Sequence, residues 1–343
     1  MVFETKNTLV VDHPLNAKYD GYVDLRVFGD NSNIVLNSPI SVSTGNTWDK
    51  QGDGWIRLVA PDGAITGSLA LTFDAPNSHL IYKAKDAPTG TLQTHLEKLT
   101  LAYAAHGRPG DISIVEQDDL ILTSLDHYDT PFRSGVVFGD ETFSGITWTA
   151  SATARWLNEV RDDNDLYALV VPNGTLTIHL LGFDALLYLD AGMIITETFG
   201  KAITILADDV SFRSGASQVV GTGDLSIQAN QQVWNYRLGT AGENAAGSDL
   251  ARDAFARSMD LTSGDLAALA DGFSKITIGR YIAGNTMIIG DAFDSHVIKY
   301  TGEARDRDAR FRDPTFLFTD TLTIAGDVEA TGRLEIKAMG AAQ

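Results

Sequence analysis

The chain has 343 residues, 45 of them Asp or Glu and 26 Lys or Arg, for a formal net charge of −19. Such an acidic surface excludes nucleic acid as a partner, because a polyanion would be repelled over most of it. A hydrophobic fraction of 44% excludes wholesale disorder, and the lack of Cys removes disulfides, thiolate metal sites and cysteine nucleophiles together. No apolar run approaches the roughly 20 residues that cross a bilayer, so no membrane insertion is expected. The opening Met1-Val-Phe-Glu-Thr-Lys6 has neither the basic start nor the apolar core of a signal peptide.

In chain order, the first third carries Asp20-Gly21, Asp53-Gly54 and Asp62-Gly63, dipeptides that turn hairpins. They keep a β-sandwich open as an alternative for that third. From Gly67 onward one phrase recurs: Gly67-Ser-Leu-Ala-Leu71, Gly110-Asp-Ile-Ser-Ile114, Gly174-Thr-Leu-Thr-Ile178, Gly223-Asp-Leu-Ser-Ile227 and Gly332-Arg-Leu-Glu-Ile336. Its aliphatic residues lie two apart and share one face of a strand, while the residues between them face the other way. Glycine-free relatives fill the gaps: Leu99-Thr-Leu101, Leu120-Ile-Leu122, Ile203-Thr-Ile205, Ile276-Thr-Ile278 and Leu322-Thr-Ile324. Successive phrase glycines lie 43, 64, 49 and 109 positions apart, and three of these intervals are near multiples of 21 to 22. Such a period signals a solenoid, whose units bury their apolar faces only by stacking. The fold expected is all-β, a right-handed parallel β-helix with short helical insertions. Gly110, Gly174, Gly223 and Gly332 are expected at equivalent corners where φ turns positive, with Ile112, Ile114, Leu176, Ile178, Leu225, Ile227, Leu334 and Ile336 pointing inward.

Three stretches depart from strand patterning. Ser151–Arg161 and Ser248–Met259 carry apolar residues at helical spacing. In Ser263–Phe273, Leu266, Leu269, Ala270 and Phe273 fall at i, i+3, i+4 and i+7 behind Ser263 as cap and Asp265 in the first turn. This segment is expected to cover an apolar edge or end of the strands. The small, polar run Gly239–Gly247 reads as an exposed loop or hinge. It divides the chain into a β-solenoid region, 1–240, and a helix-plus-strand module, 241–343, that continues or caps it.

That module carries a resemblance. Leu261-Thr-Ser-Gly-Asp-Leu-Ala-Ala-Leu-Ala-Asp-Gly-Phe-Ser-Lys-Ile-Thr-Ile-Gly-Arg280 resembles a repeat module of very large bacterial surface proteins related to filamentous haemagglutinin. Phe311-Arg-Asp-Pro-Thr315, Leu322-Thr-Ile-Ala-Gly-Asp-Val328 and Gly332-Arg-Leu-Glu-Ile336 are similar to the strand series that follows the signature in such modules. The match covers about Leu261 to Ala338. It implies an extracellular or cell-surface repeat protein of adhesin type, and it carries over no catalytic residue. Where similar modules have an Asp-Gly-rich turn after Gly-Arg, this chain has Tyr281-Ile-Ala-Gly-Asn285.

Candidate chemistry is sparse. Asp162, Asp163, Asn164 and Asp165 set four oxygen-bearing side chains in succession, a hard cluster suited to calcium, although the spacing is not that of an EF-hand. As a plain solvated turn it would bind nothing. Asp49-Lys-Gln-Gly-Asp-Gly54 is a second acidic turn. His127-Tyr128-Asp129 has the residue types of a hydrolytic pair but no Gly-x-Ser-x-Gly elbow to serve, and His179 alternates onto the outward side of its strand, exposed and idle. Arg305–Asp313 alternates four Arg with three Asp, which suits a sugar-cleaving site or, as self-compensating charge, a solvated loop. Trp48, Trp55, Trp148, Trp156 and Trp234 suit either a glycan platform or the cover of a solenoid end. The expectation is a non-catalytic structural or adhesive module. Its partners would be itself, neighbouring repeats of a longer chain, or a glycan or other cell-surface ligand. The alternatives are a β-helical carbohydrate-active enzyme and a self-assembling surface solenoid.

Overall fold

A computed structural model describes residues 1–18, 21–43, 54–67, 70–86, 88, 90–103, 111–123, 169–171, 174–189, 194–196, 199–212, 218–231, 235–240, 258–280, 282–290, 309–326 and 328–338. Its strands stack in three ladders, and every pairing within them is parallel. The first ladder has eleven rungs: Leu15–Lys18, Ile40–Ser43, the start of Leu71–Ala84, the start of Gly90–Tyr103, Ile112–Glu116, Leu176–Leu180, Ile203–Leu206, Asp224–Gln228, Lys275–Gly279, Thr315–Thr319 and Leu334–Ala338. Parallel neighbours cannot be joined by a hairpin, so each rung is one coil of a parallel β-helix. The sandwich alternative for the first third is thereby excluded, since Val2–Thr5, Tyr22–Val27 and Gly54–Ala60 also pair in parallel.

The register stacks the aliphatic phrases. Ile112 lies on Leu176, Leu176 on Ile203, Ile203 on Leu225 and Leu225 on Ile276, with a second column through Ile114, Ile178, Ile205, Ile227 and Ile278. All ten are buried. Leu334 and Ile336 continue the columns and are partly covered, with no further coil above them among the described residues. Partners one uninterrupted coil apart, such as Leu71, Leu92 and Ile114, differ by 21 or 22 positions, the period read from the glycines.

Gly174, Gly223 and Gly332 each precede a first-column residue by two positions and so occupy equivalent corners; Gly110 lies outside the described residues. The expected reason needs correction, because neither Gly223 nor Gly332 has positive φ. A Cβ at Gly223 would fall on the Lys201 carbonyl of the coil below, and one at Gly332 would press on the backbone at Asp313 and Pro314. Close approach of backbones, not a left-handed turn, demands glycine there.

The second ladder takes Val2–Thr5, Tyr22–Val27, Gly54–Ala60, the ends of the two 14-residue strands Leu71–Ala84 and Gly90–Tyr103, Leu120–Leu122, Leu186–Leu189 and Asp209–Phe212. The third is short: Leu9–Val11, Ile34–Leu36 and Ile65–Gly67, then Leu169–Val171, Ile194–Thr196 and Val219–Val220, then Ala309–Phe311 and Val328–Ala330. One apolar core runs between the ladders, from Val11 to Leu322. Backbone pairing of Asp224–Gln228 with Lys275–Gly279 carries the first ladder past residue 240.

Beyond Asp209–Phe212 the second ladder changes order. Ser258–Thr262 pairs with Asn235–Thr240, which pairs on its other side with Thr286–Ile289, followed by Thr321–Ile324. Asp260 N–H in Ser258–Thr262 donates to the Asp209 side chain, and Asp265 just beyond accepts Phe212 N–H, so the later strand sits below the earlier one. The helix that follows is Ser263–Ala268, shorter than the expected Ser263–Phe273 and capped by Thr262 rather than Ser263. Thr262 and Asp265 form a capping box. Leu269 then leaves helical geometry to bridge Val219 on the third ladder, which ends the helix early. Leu266, Leu269 and Phe273 are buried as the apolar spacing required. Ser151–Arg161 and residues 248–257 lie outside the described residues, and Ser258 and Met259 are strand rather than helix.

Candidate functional site

Alternation along the second ladder sends Val23, Leu25, Ile56, Leu58, Leu80, Leu99 and Leu101 inward, as hydrophobicity demands. The opposite row should meet water, yet Asp24, Arg57, His79, Lys83, Thr100 and Thr123 are all buried as well. The outer side of the first ladder, by contrast, keeps Asp74 and His95 exposed. The buried polar strip is therefore the place to look for chemistry.

At its N-terminal end Asp24 accepts Nε–H bonds from Arg26 at 2.9 Å and from Arg57 at 3.1 Å, and both guanidiniums make second contacts through Nη2. Burial alone would raise the Asp24 carboxyl, but Arg57 and Arg26 together hold it below the usual carboxylate range. Direct strand partners Tyr22 and Trp55 stack at 4.5 Å, and the Arg57 guanidinium lies 4.6 Å over the Trp55 ring. Both rings are half-buried.

Further along, His79 Nε2 lies 2.9 Å from Thr100 Oγ1, and that hydroxyl donates to the Thr123 carbonyl at 2.8 Å. The hydroxyl hydrogen is thus committed to Thr123, and the ring carries its proton on Nε2. Burial, and after it the Lys98 ammonium, push the imidazole down to about 3. An activated nucleophile needs the reverse arrangement, with the hydroxyl donating to a basic imidazole. His79 and Thr100 are a structural pair.

Several other carboxyls, among them the buried Glu116, Asp208 and Asp313, share an occupation: their oxygens accept backbone N–H groups from neighbouring coils. Asp208 sits at a corner between two coils and takes Asp184 N–H at 2.8 Å on one side and Gln231 N–H at 2.9 Å on the other. Glu116, inside the first ladder, takes Leu96 N–H at 3.1 Å where the preceding strand shifts register, and Gln117 N–H at 2.7 Å. Asp313 takes Gly272 and Phe273 N–H at 3.1 and 3.0 Å. Asp111 and Asp119 reach Thr175 and Leu186 N–H, each at 2.8 Å. Burial raises Glu116 and Asp208, while the Thr175 amide lowers Asp111. Asp313 is raised first by burial and then by Asp271 beside it.

At the change of strand order, Asp209 Oδ1 accepts Val210 N–H at 2.9 Å and Asp260 N–H at 3.0 Å, and Asp265 accepts Phe212 N–H at 2.6 Å. Burial, followed by the charges of Asp260 and Asp265, drives Asp209 well above the carboxylate range.

The calcium candidates Asp162, Asp163, Asn164 and Asp165 lie outside the described residues, as do Asp49–Asp53, His127–Asp129, Trp48, Trp148, Trp156 and Trp234. Among the described residues no group of three or more His, Asp or Glu could hold a metal ion. Of the charge run Arg305–Asp313, residues 305–308 lie outside the described residues, Arg310 pairs with Glu329 at 3.0 Å on the surface, and Asp313 holds the turn at Gly272. His179 is on the outward side, half-buried, and bonded to Asn230 at 2.8 Å rather than idle. Glu116, Asp208 and Asp209 escaped sequence reading, since an acid at the end of an apolar phrase carries no mark of which amide it will meet. No protein-family model, no curated protein and no solved structure matches this chain.

Proposed function

We propose that the chain is a structural or adhesive module of a large secreted or cell-surface bacterial protein, a stiff β-helical rod that presents loops and performs no catalysis. The observation that carries this reading is the occupation of the acids set between coils. A carboxyl that moves protons in glycoside cleavage needs free access to a substrate oxygen. Glu116, Asp208, Asp209, Asp265 and Asp313 instead have oxygens filled by amides of adjacent coils. The resemblance of Leu261–Arg280 to surface-protein repeats supports the extracellular placement. The half-buried aromatic pair Tyr22 and Trp55 beside Arg57 supports a glycan as the ligand.

Incubation with a panel of acidic and neutral polysaccharides, assayed for new reducing or unsaturated ends and in parallel for retention on the immobilised glycans, tests the reading. Retention without cleavage supports it, and release of fragments from any polysaccharide overturns it. Within the same reading, Asp162–Asp165 binds calcium. The melting temperature should then rise in millimolar calcium relative to chelator at matched ionic strength, and identical curves remove calcium.

A further inference from the structure

The inward rows are fully buried through the middle of the rod but open at its two ends. Ile324, on the last coil, is 53% exposed, and Phe3, on the first, is 43% exposed, although their partners Ile289 and Leu25 are at 0%. Among the described residues, no further strand pairs with the outer edge of either terminal coil, and such edges template the addition of further strands.

The two ends fit one another. The last coil begins its strands at Thr321, Val328 and Leu334 and the first at Val2, Leu9 and Leu15, so the intervals are seven and six residues in both. Each set visits the second, third and first ladders in that order. A coil placed in register on the last one would set Phe3 on Leu322, Leu9 on Val328 and Leu15 on Leu334, inward residue on inward residue throughout. The hydrogen-bond phase agrees as well. On the first ladder an inward N–H donates to the carbonyl preceding its partner in the next coil: Leu15 to Pro39 at 3.2 Å, Ile276 to Pro314 at 2.8 Å, Thr315 to Arg333 at 2.7 Å. By the same rule Leu334 N–H points at the level of a Pro14 carbonyl, which the Leu15 phase turns toward the free edge.

We infer that the chain binds a second copy of itself head to tail, the C-terminal coil of one copy continuing in register into the N-terminal coil of the next. This rests on the rod reading above and names its partner. The contact is heterologous, joining two different surfaces, so it repeats without closing and gives an open series of lengths. One pairing in this register is repulsive: Lys337 meets Lys18 on the outer side, both exposed.

Sedimentation velocity of the full chain from micromolar to sub-millimolar concentration tests the inference. The expected result is a ladder of species that lengthens with concentration. Ile336→Glu, which puts a charge into the inward row of the last coil, should abolish it while the circular dichroism spectrum and cooperative melting persist. Lys18→Glu, which turns the like-charged pair into an attractive one, should strengthen association by about threefold at low salt, and high salt should remove that gain. A gain of this kind cannot come from misfolding. A monomer at every concentration overturns the inference and leaves the rod reading standing. A closed dimer indifferent to both substitutions overturns it too.

Discussion

Asp24 is buried and Asp209 half-buried, and their surroundings push the two acids in opposite directions. Two guanidiniums face Asp24, so its folded-state carboxyl ionises at lower pH than in the unfolded chain, whose reference value is 3.8. The stability this supplies is present in full above 3.8 and is lost as pH falls through the folded value. Asp24→Ala, which leaves Arg57 at 4% exposure without that carboxylate, should lower unfolding free energy by about 3 kcal/mol at neutral pH. Urea titrations should show the deficit shrinking in strong acid. Asp209 has acids for neighbours, and its folded value lies above 3.8, so the folded state binds the extra proton and stability declines as pH rises through that window. Asn in its place keeps an Oδ1 for the Val210 and Asp260 amides and drops the charge. Asp209→Asn should therefore stabilise the protein at neutral pH by about 1 kcal/mol, a degree or two in melting temperature. The gain should vanish below pH 3.8, where the carboxyl is protonated folded or unfolded.

At the level of elements, the helix Ser263–Ala268 is too short to stand on propensity and depends on one side chain. Asp265 accepts Thr262 N–H at 2.9 Å, the Thr262 hydroxyl at 2.6 Å and Phe212 N–H on the neighbouring strand. Asp265→Ala should destabilise by about 3 kcal/mol, more than a surface cap, because it strips acceptors from buried amides as well as fraying the helix. Thr262→Ala, which leaves the Phe212 bond in place, should be milder at about 1 kcal/mol, and chemical denaturation of the two variants checks the order. Much of this element was readable in advance, since Leu266, Leu269 and Phe273 declared a buried face through their spacing. Its early end was not, because the Leu269–Val219 bridge is a tertiary contact with no local signal. The strands divide in the same way. Period-two phrases announced which residues share a face and hence the two inward columns. They could not announce that the opposite row of the second ladder, Arg57, His79 and Thr100, is buried too, because alternation is blind to what lies over the second face. Nor could composition separate acids that pin backbone amides from acids that face solvent.

For the whole molecule, the strand order carries a consequence for how the rod comes into being. A solenoid normally grows by addition, each coil docking on the one before it as the chain emerges. Here Asn235–Thr240 emerges first, but its lower neighbour, Ser258–Thr262, is made later and must slip between it and Asp209–Phe212. Until then, the top of the growing rod offers Asp209–Phe212 as a docking edge to the wrong strand. Assembly should therefore halt at this level and resume only when the stretch through the helix Ser263–Ala268 arrives to seal the seam with Asp265. Pulse-labelling hydrogen exchange during refolding should find the amides of Ile203–Leu206 protected early, and those of Asn235–Thr240 and Ser258–Thr262 protected together in a later phase. Asp265→Ala should delay that later phase without touching the first. A rod with this insertion is a chain with a checkpoint two-thirds of the way along, where the direction of synthesis and the direction of stacking part company.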